Sequence, residues 1–372
     1  MIPTLAEADI RSGTRVLLRG SLNVPVKSGY VYDAFRLEKL LPTLSYLKER
    51  GAITVLVGHI GRDSQESLRP VYRWFRERMD MVFVPAVCGN DVDVVVRSLR
   101  PGECIMLENL RQHDGEENND FAFARQLALY GSVYVNDAFA ASHRKHASIV
   151  SVPRLLPHYA GMRFTEEYEA LRRARTPATP SFCIIGGAKF ETKEPLIAEL
   201  VERYDSIFIG GALANDFLKG RGFPVGVSKV SARSVPDSLL WHEKLMLPED
   251  VVVDSDFGVR TIPVSDVREH ERIMDVGPES IAKLAQEIRG AESVLWNGPT
   301  GYYEGGFVER TLELAEAIGG SGAHSVVGGG DTIAVLSAHG MLEHFSFVST
   351  AGGAMLDFLA DGKLPGVDAL LQ

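Results

Sequence analysis

Residues 325–332 read Ser-Val-Val-Gly-Gly-Gly-Asp-Thr, an apolar run followed by three glycines and an acidic residue. Similar units occur in the second half of the chain at Gly186-Gly187, Gly210-Gly211 and Gly352-Gly353. Glycine lets backbone N–H groups approach a ligand closely, and a helix N-terminus offers free donors to anions. A single cluster is equally compatible with a tight turn. Four clusters favour phosphate binding at the carboxyl ends of strands.

Apolar runs recur along the whole chain and are continuous rather than alternating, which indicates strands buried on both faces. Helical stripes lie between them, at Leu37–Leu47 and near residues 121–128, 196–201 and 281–288. This alternation predicts a parallel α/β fold. The predicted strands are Val16–Leu18, Ile53–Val57, Met81–Val84, Ile105–Leu107, Val133–Val135, Phe182–Ile185, Ile207–Ile209, Val251–Val253, Val294–Trp296, Ser325–Val327 and Phe345–Val348.

The composition is that of a folded globular protein, and a length of 372 residues favours two domains. The formal net charge of -10 argues against nucleic acid or an anionic membrane as the main partner. No secretory signal and no apolar run of membrane-spanning length is found, so we expect a cytoplasmic protein. The three cysteines are widely spaced and indicate buried thiols rather than a zinc site.

The domain boundary is expected near the middle of the chain. Pro153 and Pro157 precede a charged helical stretch at residues 165–175, and Pro177 and Pro180 follow it. Such a helix is either a connector between domains or an ordinary surface helix.

Isolated cationic residues follow the apolar runs of the first half. They are Arg36, His59, Arg62, Arg111, His143 and Arg144. Each alone is compatible with a surface ion pair. As a set they oppose the overall negative charge, which favours a small anionic ligand.

Three charged residues of the second half suggest a nucleotide. Lys189 and Lys193 are four apart at a predicted helix start, where cations oppose the helix dipole, so a bound anion explains them best. Asp331 either caps its helix or holds Mg²⁺ on phosphates. The chain has neither a P-loop nor a Gly-x-Gly-x-x-Gly fingerprint, and the missing fingerprint disfavours a dehydrogenase.

Ordered motifs show that the whole chain resembles the phosphoglycerate kinase family. The matching segments are Val16–Arg19 with Asn23-Val24-Pro25, Arg36, Gly58–Arg62, Leu107–Arg111, Val135–Phe139, His143–Ser148, Gly186–Lys189, Trp296–Pro299, Gly328–Thr332 and Leu364–Val367.

The resemblance implies an α/β phosphoglycerate kinase fold with two doubly wound, Rossmann-like parallel-sheet domains joined by a hinge helix. The expected divisions are an acid-binding domain at 1–160, a connecting helix at 161–176, a nucleotide-binding domain at 177–355 and a tail at 356–372 that returns to the first domain. The implied ligands are a phosphorylated three-carbon acid, ATP or ADP as co-substrate, and Mg²⁺. Family members are usually monomeric, so we expect a monomer.

The resemblance also implies the site residues. The acid would contact Ser21, Asn23, Arg36, His59, Arg62, Arg111 and Arg144. The nucleotide would contact Gly187, Lys189, Lys193, Gly211, Asn297, Pro299, Glu304, Gly330, Asp331 and Thr332, with Asp331 on the metal. Arg36, Lys193, Gly352 and Gly353 would act on the transferred phosphoryl group.

Several positions depart from the usual family residues. Ser21 stands for an Asp that meets the substrate's hydroxyl side, Thr192 for Asp, Ala351 for Gly, Thr300 for Met and Tyr302-Tyr303 for Val-Phe. Asp63 follows Arg62 where Pro is common. The arginines are retained, which predicts phosphotransfer to the carboxylate of 3-phosphoglycerate. The alternatives are a paralogue acting on a related phosphono- or phospho-carboxylic acid and a non-catalytic binding protein with this fold.

Overall fold

The computed structural model describes all 372 residues and divides into two compact units. The first unit is built on a six-stranded parallel sheet of order β3-β4-β2-β1-β5-β6. Strand β1 lies at the point where the chain direction across the sheet reverses, which is where open α/β sheets bind ligands. The strands are β1 Arg15–Gly20, β2 Ile53–Val57, β3 Val82–Val84, β4 Cys104–Leu107, β5 Val133–Asp137 and β6 His158–Ala160.

The second unit has its own six-stranded parallel sheet, of order β9-β8-β7-β10-β11-β12. The strand order of this sheet reverses at β7, which pairs with both β8 and β10. The strands are β7 Ser181–Ile185, β8 Ser206–Ile209, β9 Leu245–Met246, β10 Ser293–Asn297, β11 His324–Gly328 and β12 Phe347–Val348. All four predicted glycine clusters follow strands of this sheet, so they share its carboxyl edge.

The predicted α/β class with two doubly wound sheets is confirmed, with exceptions in single strands. Val251–Val253 lies in Asp250–Asp254, the central strand of an antiparallel three-stranded sheet with Arg260–Pro263 and Arg272–Val276, so its predicted parallel pairing is wrong. Strands β6 and β9 were not predicted, because they are only three and two residues long. A hairpin of Val26–Lys27 and Tyr30–Val31 is also new.

The helices cover both sheets. One predicted stripe, Leu37–Leu47, is divided in the structure into a single turn at Phe35–Glu38 and a separate helix, because Pro42 starts a new helix there. The helices of at least six residues are α1 Leu41–Glu49, α2 Arg69–Arg76, α3 Asn90–Ser98, α4 Phe121–Ala128, α5 Met162–Ala174, α6 Phe190–Arg203, α7 Gly211–Gly220, α8 Pro278–Ile288, α9 Glu309–Gly319, α10 Gly330–Ala338, α11 Gly353–Asp361 and α12 Pro365–Leu370.

Each unit has an apolar core between its sheet and helices. In the first, Leu18, Leu44 and Phe75 are buried together. In the second, Trp296 and Phe208 are the largest buried side chains of the cluster. Burial of such side chains contributes about 1.5–3 kcal/mol each. The two cores hold the sheet edges in place, and the loops at those edges carry the candidate sites.

The first unit comprises Met1–Glu169 and Lys363–Gln372, and the second comprises Ala170–Gly362. Helix α5 therefore crosses the division. Residues 356–362 belong to the second unit, because α11 continues to Asp361. The predicted domain boundaries stay predictions. None of the helices is long and apolar enough to span a membrane.

Candidate active site

The first unit gathers cationic side chains at the carboxyl edge of its sheet. Arg62 follows β2, Arg111 follows β4, and Arg144 lies in the loop after β5. The pKa of the Arg144 guanidinium is lowered by burial and by repulsion from Arg111 and Arg62. The Arg144 guanidinium therefore lies within electrostatic range of two other guanidinium groups, an arrangement that could bind an anion. We call Arg62, Arg111 and Arg144, together with His59, the anion patch.

Two asparagines hold the loops of this patch in position. The Asn109 side-chain oxygen accepts from the Ile60 and Arg111 backbone N–H groups, and its amide donates to the Ile60 and Glu66 carbonyls. The Asn23 side chain accepts from the Gly61 N–H at 2.9 Å. These bonds join the loops after β1, β2 and β4 into one surface.

Arg36 lies in the single helical turn after β1 and donates to the Asn23 carbonyl. Burial lowers the pKa of its guanidinium, while Glu167 and Asp33 raise it. The Asn23 carbonyl thus links Arg36 to the loops of the anion patch. Arg36 has Glu167 and Asp33 as its own carboxylate neighbours, whereas Arg111 and Arg144 share Glu117.

A buried polar network lies beneath the anion patch and was not predicted. Arg19 is fully buried, and it donates to the Ser148 hydroxyl at 3.0 Å and contacts His59 Nδ1 at 2.8 Å. Ser148 donates to the buried Glu116 at 2.6 Å. Burial and the nearby Arg19 hold the pKa of His59 well below its ordinary value. His59 therefore enters the site as a neutral ring in an orientation fixed by Arg19.

Arg111 has an internal counter-ion. Its Nε lies 2.9 Å from Glu117 Oε1, and the Arg111 side chain is 5% exposed whereas Glu117 is 54% exposed. Arg111 also donates to the Gly61 carbonyl. A buried guanidinium paired with an exposed carboxylate can exchange that partner for a bound anion.

The second unit contains a cavity of about 220 Å³ beside the loops after β7, β8 and β10. Glycine backbone, apolar side chains and a few polar groups line it, as is typical of small-molecule sites. Of the predicted nucleotide contacts, those lining the cavity are Gly187, Gly211, Pro299, Glu304 and Asp331. The other predicted nucleotide contacts do not line it, and neither do Gly352 and Gly353; these contacts are Lys189, Lys193, Asn297, Gly330 and Thr332.

The glycine loops approach one another too closely for side chains. A Cβ on Gly211 would lie 2.6 Å from the Gly187 nitrogen and 2.9 Å from the Pro299 carbonyl oxygen, at a φ of +61°. Gly187 donates to the Pro299 carbonyl at 3.0 Å. The buried Trp296 indole donates to the Gly298 carbonyl at 2.8 Å. The sheet core thereby fixes the backbone that forms this wall of the cavity.

The two predicted lysines have different environments, which corrects the prediction that they share a helix face. Lys189 is exposed, with left-handed backbone, and precedes α6. Lys193 lies in the first turn of α6 and is buried, donating to the Gly186 carbonyl and approaching Asn297 Oδ1 at 3.4 Å. Burial lowers the pKa of Lys193 to about 8, although Asp331 opposes the shift.

Asp331 lies in the first turn of α10 and does not cap it, so the capping interpretation is wrong. Its Oδ1 accepts a hydrogen bond from the Tyr303 hydroxyl at 3.1 Å. Thr332 is buried and accepts from the Gly298 N–H at 3.0 Å. No cluster of three or more His, Cys, Asp or Glu side chains exists, so a metal here would depend on one or two carboxylates plus ligand oxygens.

Helix α11 begins at Gly353, as predicted for the last glycine cluster, with Gly352 at a φ of +57° before it. Three of the residues that depart from the usual family pattern have ordinary environments. Ser21 is half-buried after β1, Ala351 is buried, and the exposed Thr192 donates to the Lys189 carbonyl at 2.9 Å.

Sequence reasoning missed several polar residues near both sites. Arg19 could have been found, because a charged residue in the continuous apolar run of β1 must be paired when buried. Glu116 and Glu117 gave no such signal, since adjacent acids in a loop are normally solvated. Tyr303 and Asp331 are 28 residues apart, and only the loop conformation brings them together.

Comparisons with known proteins agree with this architecture. Solved structures of phosphoglycerate kinases match the whole chain: the Coxiella burnetii structure with TM-score 0.86 and 32% identity, covering 99% of that chain, and the Pyrococcus horikoshii structure with TM-score 0.89 and 29% identity, covering 98% of that chain.

Sequence comparisons give the same result. A relative from Azorhizobium caulinodans named phosphoglycerate kinase is 40% identical over 99% of this chain and 98% of its own length. One of the same name from Rhizorhabdus wittichii is 41% identical over 97% of each chain. The family model described as phosphoglycerate kinase matches residues 5–363. The chain therefore belongs to the phosphoglycerate kinase family.

Proposed function

We propose that this protein transfers the terminal phosphoryl group of ATP to the carboxylate of 3-phosphoglycerate, reversibly forming 1,3-bisphosphoglycerate and ADP. The observation that carries the proposal is one anion patch and one glycine-walled cavity in a chain whose relatives are named phosphoglycerate kinase. One chain holds both sites, so a monomer suffices. The cytoplasmic location follows from the metabolic class of the reaction and stays a prediction.

The chemistry requires alignment and charge neutralisation rather than proton transfer. A carboxylate is ionised at neutral pH, so its oxygen attacks phosphorus without a general base. The bond from phosphorus to the ADP oxygen breaks as the new one forms, and negative charge accumulates on the transferred group. Arg36 and Lys193 supply the compensating positive charge, and the N-terminus of α11 at Gly352-Gly353 supplies N–H donors.

The anion patch anchors the far end of the acid. Arg62, Arg111 and Arg144 bind the stable phosphate group, because guanidinium groups donate paired hydrogen bonds to phosphate oxygens. Asn23 and His59 position the carbon chain. Ser21 replaces a charged acceptor by a shorter hydroxyl, and loss of such a hydrogen bond costs about 1.5–3 kcal/mol. We therefore expect the hydroxyl group of the acid to be bound more weakly, while the arginines still bind its phosphate group.

The nucleotide is held mainly by backbone. Gly187, Gly211 and Pro299 contact the nucleotide, and Glu304 meets the ribose hydroxyls. The phosphates are contacted by Lys189, Lys193, Asn297, Gly330 and Thr332.

The residues fit Mg²⁺. Asp331 is exposed and lines the cavity, and Mg²⁺ in nucleotide sites binds through one or two carboxylates plus substrate phosphates. The ion would neutralise phosphate charge when bound.

Three other functions have less support. None of the comparisons favours a paralogue for a phosphonate analogue of the acid, so only the unusual residues Ser21, Thr192 and Ala351 support that alternative. A binding protein without activity would not need the retained Arg36, Lys193 and Asp331. A dehydrogenase lacks its fingerprint.

The test is an ADP-release assay with 3-phosphoglycerate and with its phosphonate analogue. We expect turnover at ordinary kinase rates with 3-phosphoglycerate. Turnover with the phosphonate alone would establish the paralogue function. Absence of transfer to any three-carbon acid, with MgATP still binding, would establish the binding protein.

A further inference from the structure

We infer that Tyr303 is a positioning residue that fixes the Asp331 carboxylate for metal-bound nucleotide. The inference rests on the proposed function, in that it assigns Asp331 to the metal-bound phosphates. It adds a residue that acts on the nucleotide through another side chain.

The first observation is the contact itself. The Tyr303 hydroxyl donates to Asp331 Oδ1 at 3.1 Å, and both residues line the nucleotide cavity. Asp331 is exposed, and its carboxylate does not bond to the N-terminus of its own helix. The tyrosine thus supplies an orienting contact that the helix does not. A donor on Oδ1 leaves Oδ2 available to a cation.

The second observation is that the phenol is carried by a restrained loop. The Tyr302 N–H donates to the Met274 carbonyl at 2.8 Å, and the Thr300 N–H donates to the Thr311 hydroxyl at 3.2 Å. Tyr303 itself opens the single turn Tyr303–Gly305. The bonds on the N-terminal side of Tyr303, together with the turn that it opens, limit the positions of its ring. A restrained donor is what an orienting contact requires.

The third observation is the charge around the hydroxyl. Asp331 and Glu304 are its acidic neighbours. A neutral donor between two carboxylates satisfies one of them without adding a positive charge that would compete with a metal cation. A lysine or arginine at this place would pair with Asp331 and reduce its value as a metal ligand. The chemistry of a phenol suits an outer partner of a metal-binding carboxylate.

The sequence at this place also suggests a variant, since a phenylalanine in place of Tyr303 has no hydroxyl to donate. The two neighbouring tyrosines also provide a matched pair of variants, because the Tyr302 side chain is 51% exposed and its hydroxyl makes no bond to Asp331.

The experiment is calorimetric titration of the full chain with ADP, in excess Mg²⁺ and in EDTA, for the wild type, Tyr303→Phe and Tyr302→Phe. Loss of an outer partner of a metal ligand typically weakens metal binding by about 10–100-fold. We expect Tyr303→Phe to lose about tenfold of the affinity gained from Mg²⁺, at the lower end of that range because the site is partly solvated. Its affinity in EDTA should equal that of the wild type. Tyr302 also lines the cavity but makes no bond to Asp331, so Tyr302→Phe should leave the affinity gained from Mg²⁺ at its wild-type value.

A second variant tests whether Tyr303 acts through Asp331. In an Asp331→Asn background, Tyr303→Phe should cause no further loss of the Mg²⁺ effect, because coupled residues are not additive. Equal weakening with and without Mg²⁺ would mean that the phenol contacts the nucleotide directly and would overturn the inference. An unchanged Mg²⁺ effect in Tyr303→Phe would also overturn it. These titrations need no acid substrate, so failure of the proposed acid specificity would leave their result unaffected.

Discussion

The two candidate anion sites lie on the same kind of sheet edge and are built by different means. In the first unit, the anion patch depends on charged side chains, and burial together with repulsion from Arg111 and Arg62 lowers the pKa of Arg144. In the second, the cavity wall is backbone from loops that meet at Gly187, Gly211 and Pro299. Side-chain charge is the main feature of the first site, and close approach of backbone segments is the main feature of the second.

The difference predicts opposite sensitivities. Removing a charge should damage the first unit's site, whereas adding a single methyl group should damage the second. Electrostatic binding should also respond to salt and to internal counter-ions such as Glu117. Four variants or conditions test this contrast, beginning with the largest expected effect.

Arg36→Ala should separate catalysis from nucleotide binding. An arginine that stabilises a transferring phosphoryl group contributes about 10³–10⁵ in rate, and we expect kcat to fall by that order. MgATP affinity should stay within about twofold, because Arg36 lies in the first unit and the cavity in the second. Steady-state kinetics measure kcat, and calorimetry measures MgATP affinity. The exposed Arg97→Ala is the control, and a fall of less than tenfold in Arg36→Ala would remove this residue from the catalytic role.

Gly211→Ala should weaken nucleotide binding while acid binding persists. The added methyl would meet backbone atoms of Gly187 at 2.6 Å, and φ is +61°. Left-handed backbone alone costs a non-glycine residue about 1–2 kcal/mol. If the free protein relieves this strain by moving the loop, the nucleotide must restore it on binding, which lowers the affinity by roughly a factor of ten. With the steric clash added, we expect a loss of about 10–100-fold in MgATP affinity.

The matched control is Gly290→Ala, since a Cβ there meets nothing within 4 Å. Binding of 3-phosphoglycerate to Gly211→Ala, measured by calorimetry, should equal that of the wild type. A normal MgATP affinity in Gly211→Ala would contradict the role of close backbone approach.

Nucleotide affinity should fall as the pH rises above about 8. The pKa of Lys193 is lowered to about 8 by burial, so its ammonium is charged below that pH and neutral above it. Only the charged form attracts phosphate, which gives a decline of up to about tenfold per pH unit above the pKa. Titrations between pH 7 and pH 10 measure this. In Lys193→Met the decline should disappear, and an identical decline in that variant would assign it to another group.

Glu117→Gln should strengthen acid binding slightly. Glu117 pairs with Arg111 in the free protein, and the acid's phosphate must displace it. Since Glu117 is half exposed, the pair contributes only about 0.2–1 kcal/mol, which corresponds to an affinity gain of about 1.4- to fivefold at low salt. The exposed Glu287→Gln in the second unit is the control. Weaker binding in Glu117→Gln would show that Glu117 supports the patch.

Sequence patterns predicted the sheets well because buried parallel strands are continuous apolar runs. Val251–Val253 has the same pattern, yet it pairs antiparallel in the three-stranded sheet. Periodicity reports burial and does not report strand direction. Strand β6 is only partly buried, so it had no apolar run to detect.

The candidate sites were less predictable than the fold. Arginines and glycines placed after strands could be assigned to sheet edges from their order alone. The position of Lys189 could not, because its left-handed backbone ends the loop before α6 begins. Contacts such as Arg19 with Ser148 and Tyr303 with Asp331 join residues 129 and 28 apart. Such pairs depend on loop conformations that local patterns do not encode.

The most direct test of the central claim is to trap the acyl phosphate. The protein is mixed with MgATP and 3-phosphoglycerate in the presence of hydroxylamine, which converts an acyl phosphate to a hydroxamate, and ADP and hydroxamate are both measured. We predict equal amounts of the two products with the wild type and neither with Arg36→Ala. ADP released without hydroxamate would mean that phosphorus is not delivered to the carboxylate, and the account would be contradicted.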